Sequence, residues 1–267
     1  MVPLSRSPRP PACSFRTPRN AAGSGRFYRR ASPHADECSF QIVVEQSDLW
    51  ITVGKNAHCA ELRAIAFDRV QEVRARISAW IHLMPDFAAS LTPVATPDHA
   101  PEVIRRMSRA AGIMGVGPMA TVAGAVAMLT AEALLPYSPD CLVENGGDSM
   151  LHSTRDRIVA LLPDPANTAV LGLRIPAADF PLSLCSSSAT FGHSLSFGKG
   201  ELAVVRARDA FLADAAATAF CNMLQEPEDA GRVAELAADY AAQGIDGVFV
   251  QCQGSIGIWG AMELVAL

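Results

Sequence analysis

The sequence predicts one α+β domain, with a mostly antiparallel sheet packed on central helices. Strand-like segments are short, turn residues are frequent, and two apolar helical segments separate the strand blocks. The regular alternation of strands and helices that indicates a parallel sheet is not found. Half of the 267 residues are hydrophobic and 18% are charged, which is enough apolar mass for a sizeable core and excludes a disordered chain.

The first elements of the domain are predicted to be a hairpin and a long helix. Residues 40–45 and 49–53 are apolar or alternating and flank a polar turn, which is typical of a β-hairpin. Residues 56–84 carry apolar side chains at helical spacing, and Pro85 ends the pattern. The predicted buried face consists of Leu62, Ala66, Val70, Val73, Ile77 and Trp80.

The central part of the chain is predicted to hold a proline-rich loop and two helices. The loop covers residues 85–101, and a short helix follows Pro101 with Val103, Ile104 and Met107 facing inward. Residues 112–118 form a glycine-rich turn, and Pro118 suits the first turn of the second helix, where its missing N–H costs nothing. The 22 uncharged residues between Arg109 and Glu132 contain almost no Leu, Ile or Phe, so we expect a buried helix and no membrane span.

The remainder of the domain alternates predicted strands with helices. A short buried strand at 141–144 leads into Asn145-Gly146-Gly147-Asp148. Further strands are predicted at 157–162, 168–175, 182–185, 201–206, 249–252 and 256–259, and helices at 214–223 and 233–242.

Charge is distributed unevenly along the chain. Residues 1–35 contain seven arginines, six prolines and no acid, which predicts a disordered basic extension before a domain at 36–267. The prolines would break the amphipathic helix of an organellar transit peptide, and no apolar stretch of a secretory signal is present. The domain itself keeps 15 basic and 27 acidic residues, a net charge of −12. That balance excludes general nucleic-acid binding, which needs a basic face.

The seven cysteines show no C-x-x-C spacing. A disulfide framework or a zinc ribbon is therefore not expected. We expect reduced thiols, packed as small hydrophobic side chains, and a cytoplasmic location.

Four segments depart from a simple core-and-surface pattern, and the first is the glycine turn at 112–120. Gly115 and Gly117 permit positive φ and close approach of the backbone to a ligand. If a helix begins at Pro118, its free N–H groups favour a phosphate or another anion. The alternative is that small residues here let two helices pack tightly.

The second segment is Glu144-Asn145-Gly146-Gly147-Asp148. Asn-Gly is a hairpin signal, which is one interpretation. The other is a ligand site, because two carboxylates flank a glycine pair at a strand end beside exposed backbone N–H groups. In that interpretation Asp148 contacts the ligand.

The third segment, residues 185–199, contains seven hydroxyl or thiol groups, one imidazole and one ammonium. Its hydroxyl groups and backbone N–H groups are suited to binding phosphate, and we assign this role to Ser186, Ser187, Ser188 and Thr190. His193 is the candidate acid or base, and Lys199 would offset phosphate charge. Cys185 and His193 could alternatively act as a nucleophile and its base. A solvated polar loop is the remaining alternative.

The fourth segment places Asp214 and Thr218 four residues apart, on one face of a helix. Asp214 could simply cap that helix. A hard cation such as magnesium would equally accept the carboxylate and the hydroxyl oxygen.

Taken together, the four segments resemble a pattern of an uncharacterised bacterial and archaeal family related to the ApbE-type flavin transferases. The family pattern reads G-V-G-P-M-A-x-V-A-G, E-N-G-G-D, C-T-S-S-G-T-x-G-H-S-x-S-F-G-K and A-D-A-x-A-T. Its counterparts here lie in the same order at 115–124, 144–148, 185–199 and 213–218. The similarity covers residues 27–263.

The resemblance implies an ApbE-like fold and a magnesium-dependent protein that acts on FAD or a related flavin or nucleotide, transferring FMN to an acceptor protein or cleaving the pyrophosphate. It places the cofactor near the second and third segments and magnesium near Asp214 and Thr218. The H-x-x-D-P-x-T-G signature of ApbE enzymes is absent from this sequence. A non-catalytic flavin or nucleotide binder, and a different cofactor-pathway enzyme using Cys185 and His193, remain alternatives.

Overall fold

The computed structural model describes residues 35–55, 59–161, 171–189 and 198–267. Within these ranges the chain forms three layers: a layer of helices, an eight-stranded sheet, and a three-stranded sheet on the opposite face. Every pairing between the described strands is antiparallel. The predicted α+β class with a mostly antiparallel sheet is confirmed.

Eleven strands are found in the described ranges. They are β1 (Glu37–Val44), β2 (Ser47–Gly54), β3 (Cys141–Asn145), β4 (Asp148–His152), β5 (Arg157–Leu161), β6 (Leu171–Ile175), β7 (Leu182–Ser187), β8 (Leu202–Ala207), β9 (Ile245–Cys252), β10 (Ser255–Gly260) and β11 (Glu263–Ala266). The large sheet has the order β1-β2-β3-β4-β7-β8-β9-β10, and the small sheet has the order β11-β6-β5.

Six α-helices are found in the same ranges. They are α1 (Cys59–Leu83), α2 (Asp86–Ala89), α3 (Glu102–Met114), α4 (Val122–Leu134), α5 (Ala210–Met223) and α6 (Asp229–Ala237). A 3-10 turn, Pro118–Thr121, leads into α4 and carries its proline at the first position. The central helices α4 and α5 are buried along most of their length, which explains their richness in Ala.

The helical periodicity identifies the buried face of α1 correctly. Its six buried residues are the six predicted ones, from Leu62 to Trp80. The predicted inward positions of α3 are buried as well. The face of α1 packs against α4 and β1, and that of α3 packs against α5 and the Pro118–Thr121 turn. Together with the large sheet these helices form the main hydrophobic core.

Several boundaries differ from the sequence-based expectations. Gly112 lies inside α3, and the chain turns at Gly115, which adopts φ 70° as the left-handed C-cap. Strands β4 and β11 were not predicted, because four or five residues beside a turn give too short a pattern to recognise. Helix α5 begins at Ala210, four residues earlier than expected.

The cysteines depart from the expectation of reduced thiols in one place. Cys38 of β1 and Cys59, the first residue of α1, form a disulfide. Disulfides persist mainly in oxidising compartments, so this bond does not support the predicted cytoplasmic location. The location stays a prediction. Four other cysteines are free and buried: Cys141, Cys185, Cys221 and Cys252.

The long uncharged stretch of the central helices does not form one straight span. No single helix in the described part of the chain is long and apolar enough to cross a membrane. Helix α3 and the segment Pro118–Leu134 pass that test only as a pair, and they are bent by 104° relative to each other.

Candidate functional site

The second segment forms the tight turn between β3 and β4. Gly146 and Gly147 have φ values of 74° and 118°, so both central positions of the turn need glycine. Glu144 Oε1 accepts a hydrogen bond from the Gly147 N–H at 3.1 Å. The hairpin interpretation is therefore correct, and it coexists with the clustering of polar groups described next.

The turn is fixed to the end of β7 through Ser186. Asp148 Oδ1 accepts a hydrogen bond from the Ser186 N–H at 3.1 Å, and Ser186 Oγ donates to the Gly147 carbonyl at 3.0 Å. A Cβ atom at Gly147 would lie 2.7 Å from Ser186 Oγ, so the glycine also permits this close approach. The second and third segments thus form one substructure.

The fourth segment contacts the start of α4, just after the first segment. Asp214 Oδ2 accepts a hydrogen bond from the Gly124 N–H at 2.8 Å, and the Ala123 N–H also donates to this carboxyl group. These are free N–H groups of the first helical turn, which favours negative charge. Helix α5 itself is capped by Asp209, whose Oδ1 accepts from the Phe211 N–H at 2.8 Å. The interpretation of Asp214 as the cap of its own helix is wrong.

Asp148 and Asp214 are the electrostatic centre of the site. Burial raises the pKa of Asp148 to about 7, and the charge of Glu144 adds to this, while the Ser186 N–H and the Cys185 thiol act in the opposite direction. Burial also raises the pKa of Asp214 well above its ordinary value, and the negative charge of Asp148 raises it further. Two adjacent buried carboxyl groups resist double ionisation, so the pair attracts a proton or a cation.

The glycines of the first segment serve the fold of the chain itself. A Cβ atom at Gly117 would lie 2.0 Å from the Ser90 carbonyl oxygen. One at Gly124 would lie 2.2 Å from the Ala210 carbonyl oxygen and 2.9 Å from Asp214 Cβ. Gly117 therefore allows backbone packing, as the alternative interpretation held, and Gly124 lets α4 approach α5 closely enough to reach Asp214.

The remaining predicted residues differ in where they lie. Asn145 joins the cluster, because its Nδ2 donates to the Ala123 carbonyl at 3.1 Å, and Thr218 follows Asp214 by one turn of α5. Ser188 is described and half-buried, whereas Thr190 and His193 lie outside the described residues. The backbone N–H of Lys199 donates to the Leu224 carbonyl, about 15 Å along α5 from Asp214. Its backbone is not brought to the two aspartates.

Cys185 lacks the solvent access and the lowered pKa of a catalytic nucleophile. It is fully buried beneath α5, where its Sγ lies 3.7 Å from the Ala210 carbonyl oxygen. Burial and the charges of both aspartates raise its pKa well above the ordinary thiol value. A thiol without thiolate character or access is inert, so this placement argues against Cys185 as a nucleophile.

Sequence comparisons agree with the geometry. A sequence model of the family described as AbpE bacteria matches residues 29–240. A UPF0280 protein of Methanopyrus kandleri is 38% identical over 227 residues, which is 83% of this chain and 90% of that relative. The chain belongs to the UPF0280 family. A UPF0280 protein of Methanocaldococcus jannaschii is 34% identical over 232 residues, covering 84% of this chain and 92% of its own.

Solved structures similar to this UPF0280 protein include ApbE proteins. The flavin transferase ApbE of Vibrio cholerae matches 84% of this chain and 97% of its own, with a TM-score of 0.51 at 13% identity. The ApbE protein of Thermotoga maritima gives a TM-score of 0.55 at 12% identity over 84% and 97%. At such identities the likeness establishes an ApbE-like fold.

Proposed function

We propose that this UPF0280 protein binds magnesium and FAD, or a related flavin or nucleotide, and acts at the pyrophosphate of that cofactor. The observation that carries this proposal is the clustering of Asp148, Ser186 and Asp214 with the start of α4. Two buried, adjacent carboxyl groups attract a cation, and the surrounding turns offer hydroxyl and backbone N–H groups to an anionic ligand.

The donor chemistry fits magnesium. Asp214 supplies a carboxylate, and Thr218 offers a hydroxyl oxygen one turn further along α5. In the described ranges, no group of three or more His, Cys, Asp and Glu side chains is placed to hold a metal ion. Magnesium does not need such a group, because it is usually bound by one or two carboxylates together with waters and substrate phosphates.

Some residues of the chain would bind the cofactor, and others would transfer protons. Ser186 and Ser188 lie at the end of β7 and would hold phosphate oxygens, with Thr190 and Lys199 further along the chain. Asp148, whose pKa is raised to about 7, is suited to exchanging a proton near neutral pH. His193 remains a proposed acid or base. Magnesium, when bound, would neutralise charge at the pyrophosphate.

Incubation of the purified protein with FAD and magnesium chloride tests the proposal. Release of AMP, with FMN either free or attached to an acceptor protein, is the expected result. Chromatography measures the free products, and mass spectrometry of the proteins detects attached FMN. Chelation with EDTA should abolish turnover. Failure to bind either FAD or magnesium would refute the proposal.

A non-catalytic flavin or nucleotide binder is the second candidate. One observation favours it: the sequence lacks the H-x-x-D-P-x-T-G signature of ApbE enzymes. The same incubation separates the two candidates, because a binder would retain intact FAD without releasing AMP.

A further inference from the structure

Ser187, the last residue of β7, has a buried hydroxyl group that the described part of the chain leaves without a hydrogen bond. The residue is 6% exposed, and its Oγ has no partner there. Neighbouring serines of the strand are satisfied: Ser183 Oγ donates to the Ser149 carbonyl at 2.8 Å, and Ser186 Oγ donates to the Gly147 carbonyl. Buried hydroxyl groups are nearly always paired, so this one calls for a partner other than these residues.

The strand places Ser187 on the face that α5 covers. Side chains two residues apart point to the same side of a sheet, so Ser187 shares its face with Cys185. Cys185 lies against α5, with its Sγ 3.7 Å from the Ala210 carbonyl oxygen. The strand partner of Ser187 is Ala203 of β8, which belongs to the core between the large sheet and the helices.

The direction of α5 sets the level of Ser187 along that helix. Strands β7 and β8 are antiparallel, and α5 follows β8 and packs back across both strands. It therefore runs alongside β7 in the same direction. Two strand residues advance about 6.6 Å and one helical turn about 5.4 Å. The step from Cys185 to Ser187 is therefore similar in length to one turn of α5. It leads from the level of Ala210 towards the stretch from Asp214 to Thr218.

We propose that Ser187 Oγ is a third protein oxygen of the cation site formed by Asp214 and Thr218. The inference rests on the proposed function and adds a ligand to that site. A hydroxyl oxygen is a hard neutral donor, and magnesium accepts such oxygens readily. The neighbouring carboxyl groups are engaged by backbone N–H groups, Asp148 by Ser186 and Asp214 by Gly124. The Ser187 hydroxyl takes part in neither of these bonds and is therefore available to a bound cation.

The test is calorimetric titration of magnesium chloride into wild-type protein and the variants Ser187→Ala, Ser183→Ala and Asp214→Asn, together with thermal melting in EDTA. Ser187→Ala should weaken magnesium binding about tenfold. In EDTA its Tm should rise by about 2–4 °C, because the variant removes an unsatisfied buried hydroxyl group. Ser183→Ala is the matched control on the same strand face: it loses a hydrogen bond, so its Tm should fall while magnesium affinity is unchanged.

The possible outcomes distinguish a failure of the role of Ser187 from a failure of the proposed function. If Ser187→Ala binds magnesium like wild type while Asp214→Asn binds it weakly, the role of Ser187 is refuted and the proposed function stands. A fall in the Tm of Ser187→Ala in EDTA would also overturn the inference, because it would reveal a partner within the protein. If the wild type takes up no magnesium, alone or with FAD, the proposed function and the inference fail together.

Discussion

The Asp148 carboxyl group lies in the interior between a hairpin turn and the end of β7, and its pKa is raised to about 7, chiefly by burial. In the unfolded chain this group ionises near its ordinary value of 3.8. The folded state therefore holds a proton that the unfolded state releases as the pH rises from about 4 to 7. Its contribution favours folding below the unfolded pKa and is lost as the pH rises through the folded pKa.

Asp148→Asn removes this pH dependence, because the amide stays neutral. Relative to wild type, the variant should gain stability as the pH rises from about 4.5 to about 8, by a few degrees in Tm measured in EDTA. Asp229→Asn is the control: backbone N–H groups of Gln225 and Glu226 lower the pKa of Asp229, so this group is ionised in both states above about pH 4.5, and the stability difference from wild type should stay constant across this range. A constant difference between Asp148→Asn and wild type would show that Asp148 is not held protonated.

Asp214→Asn separates a metal ligand from a purely structural carboxyl group. The amide oxygen can still accept the Gly124 N–H, so the fold should be kept. Magnesium affinity should fall at least about tenfold, because the charge that attracts a hard cation is removed. Asp209→Asn is the matched control, since Asp209 caps α5 and Asn caps a helix equally well. Equal magnesium binding by wild type and Asp214→Asn would refute the metal assignment.

At the scale of elements, two glycines of the first segment differ in whether they contact another segment. Gly117 lies against the Ser90 carbonyl oxygen, and Gly112 has no atom within 4 Å of an added Cβ. Gly117→Ala should therefore destabilise the protein by about 1–3 kcal/mol, since the backbone must move. Gly112→Ala should stabilise it by about 0.5–1 kcal/mol, because Gly112 lies inside a helix. Denaturant unfolding measures both, and similar stabilities of the two variants would contradict this account.

The elements also show what a sequence reveals and what it does not. The face of α1 was predictable because six apolar residues repeat over 25 residues with one period. Strand β4 has five residues and follows a two-residue turn, so local pattern carried little information about it. Asp148 and Asp214 were each recognised as polar positions. Their proximity depends on the pairing of β4 with β7 and on the packing of α5, which no local pattern encodes.

At the scale of the whole molecule, a buried ionic cluster joins the small sheet to the large one. Arg157 of β5 is 8% exposed and forms ion pairs with Glu37 of β1 and with Asp140, just before β3. Asp140 also accepts hydrogen bonds from the Thr154 N–H at 2.8 Å and from Ser153 Oγ at 3.2 Å. These donors and Arg157 hold the pKa of Asp140 below its ordinary value, despite the opposing effect of burial.

Arg157→Met should destabilise the protein by roughly 3–5 kcal/mol in denaturant unfolding, because two buried acids lose their shared cation. Adding Glu37→Gln should recover part of that loss, since one of the buried charges is then gone. Arg174→Met is the control within the same small sheet. Its ion pairs with Asp156 and Glu263 are about half exposed, so removing Arg174 should cost much less stability than removing Arg157. If Arg157→Met costs no more than Arg174→Met, hydrophobic packing alone joins the two sheets.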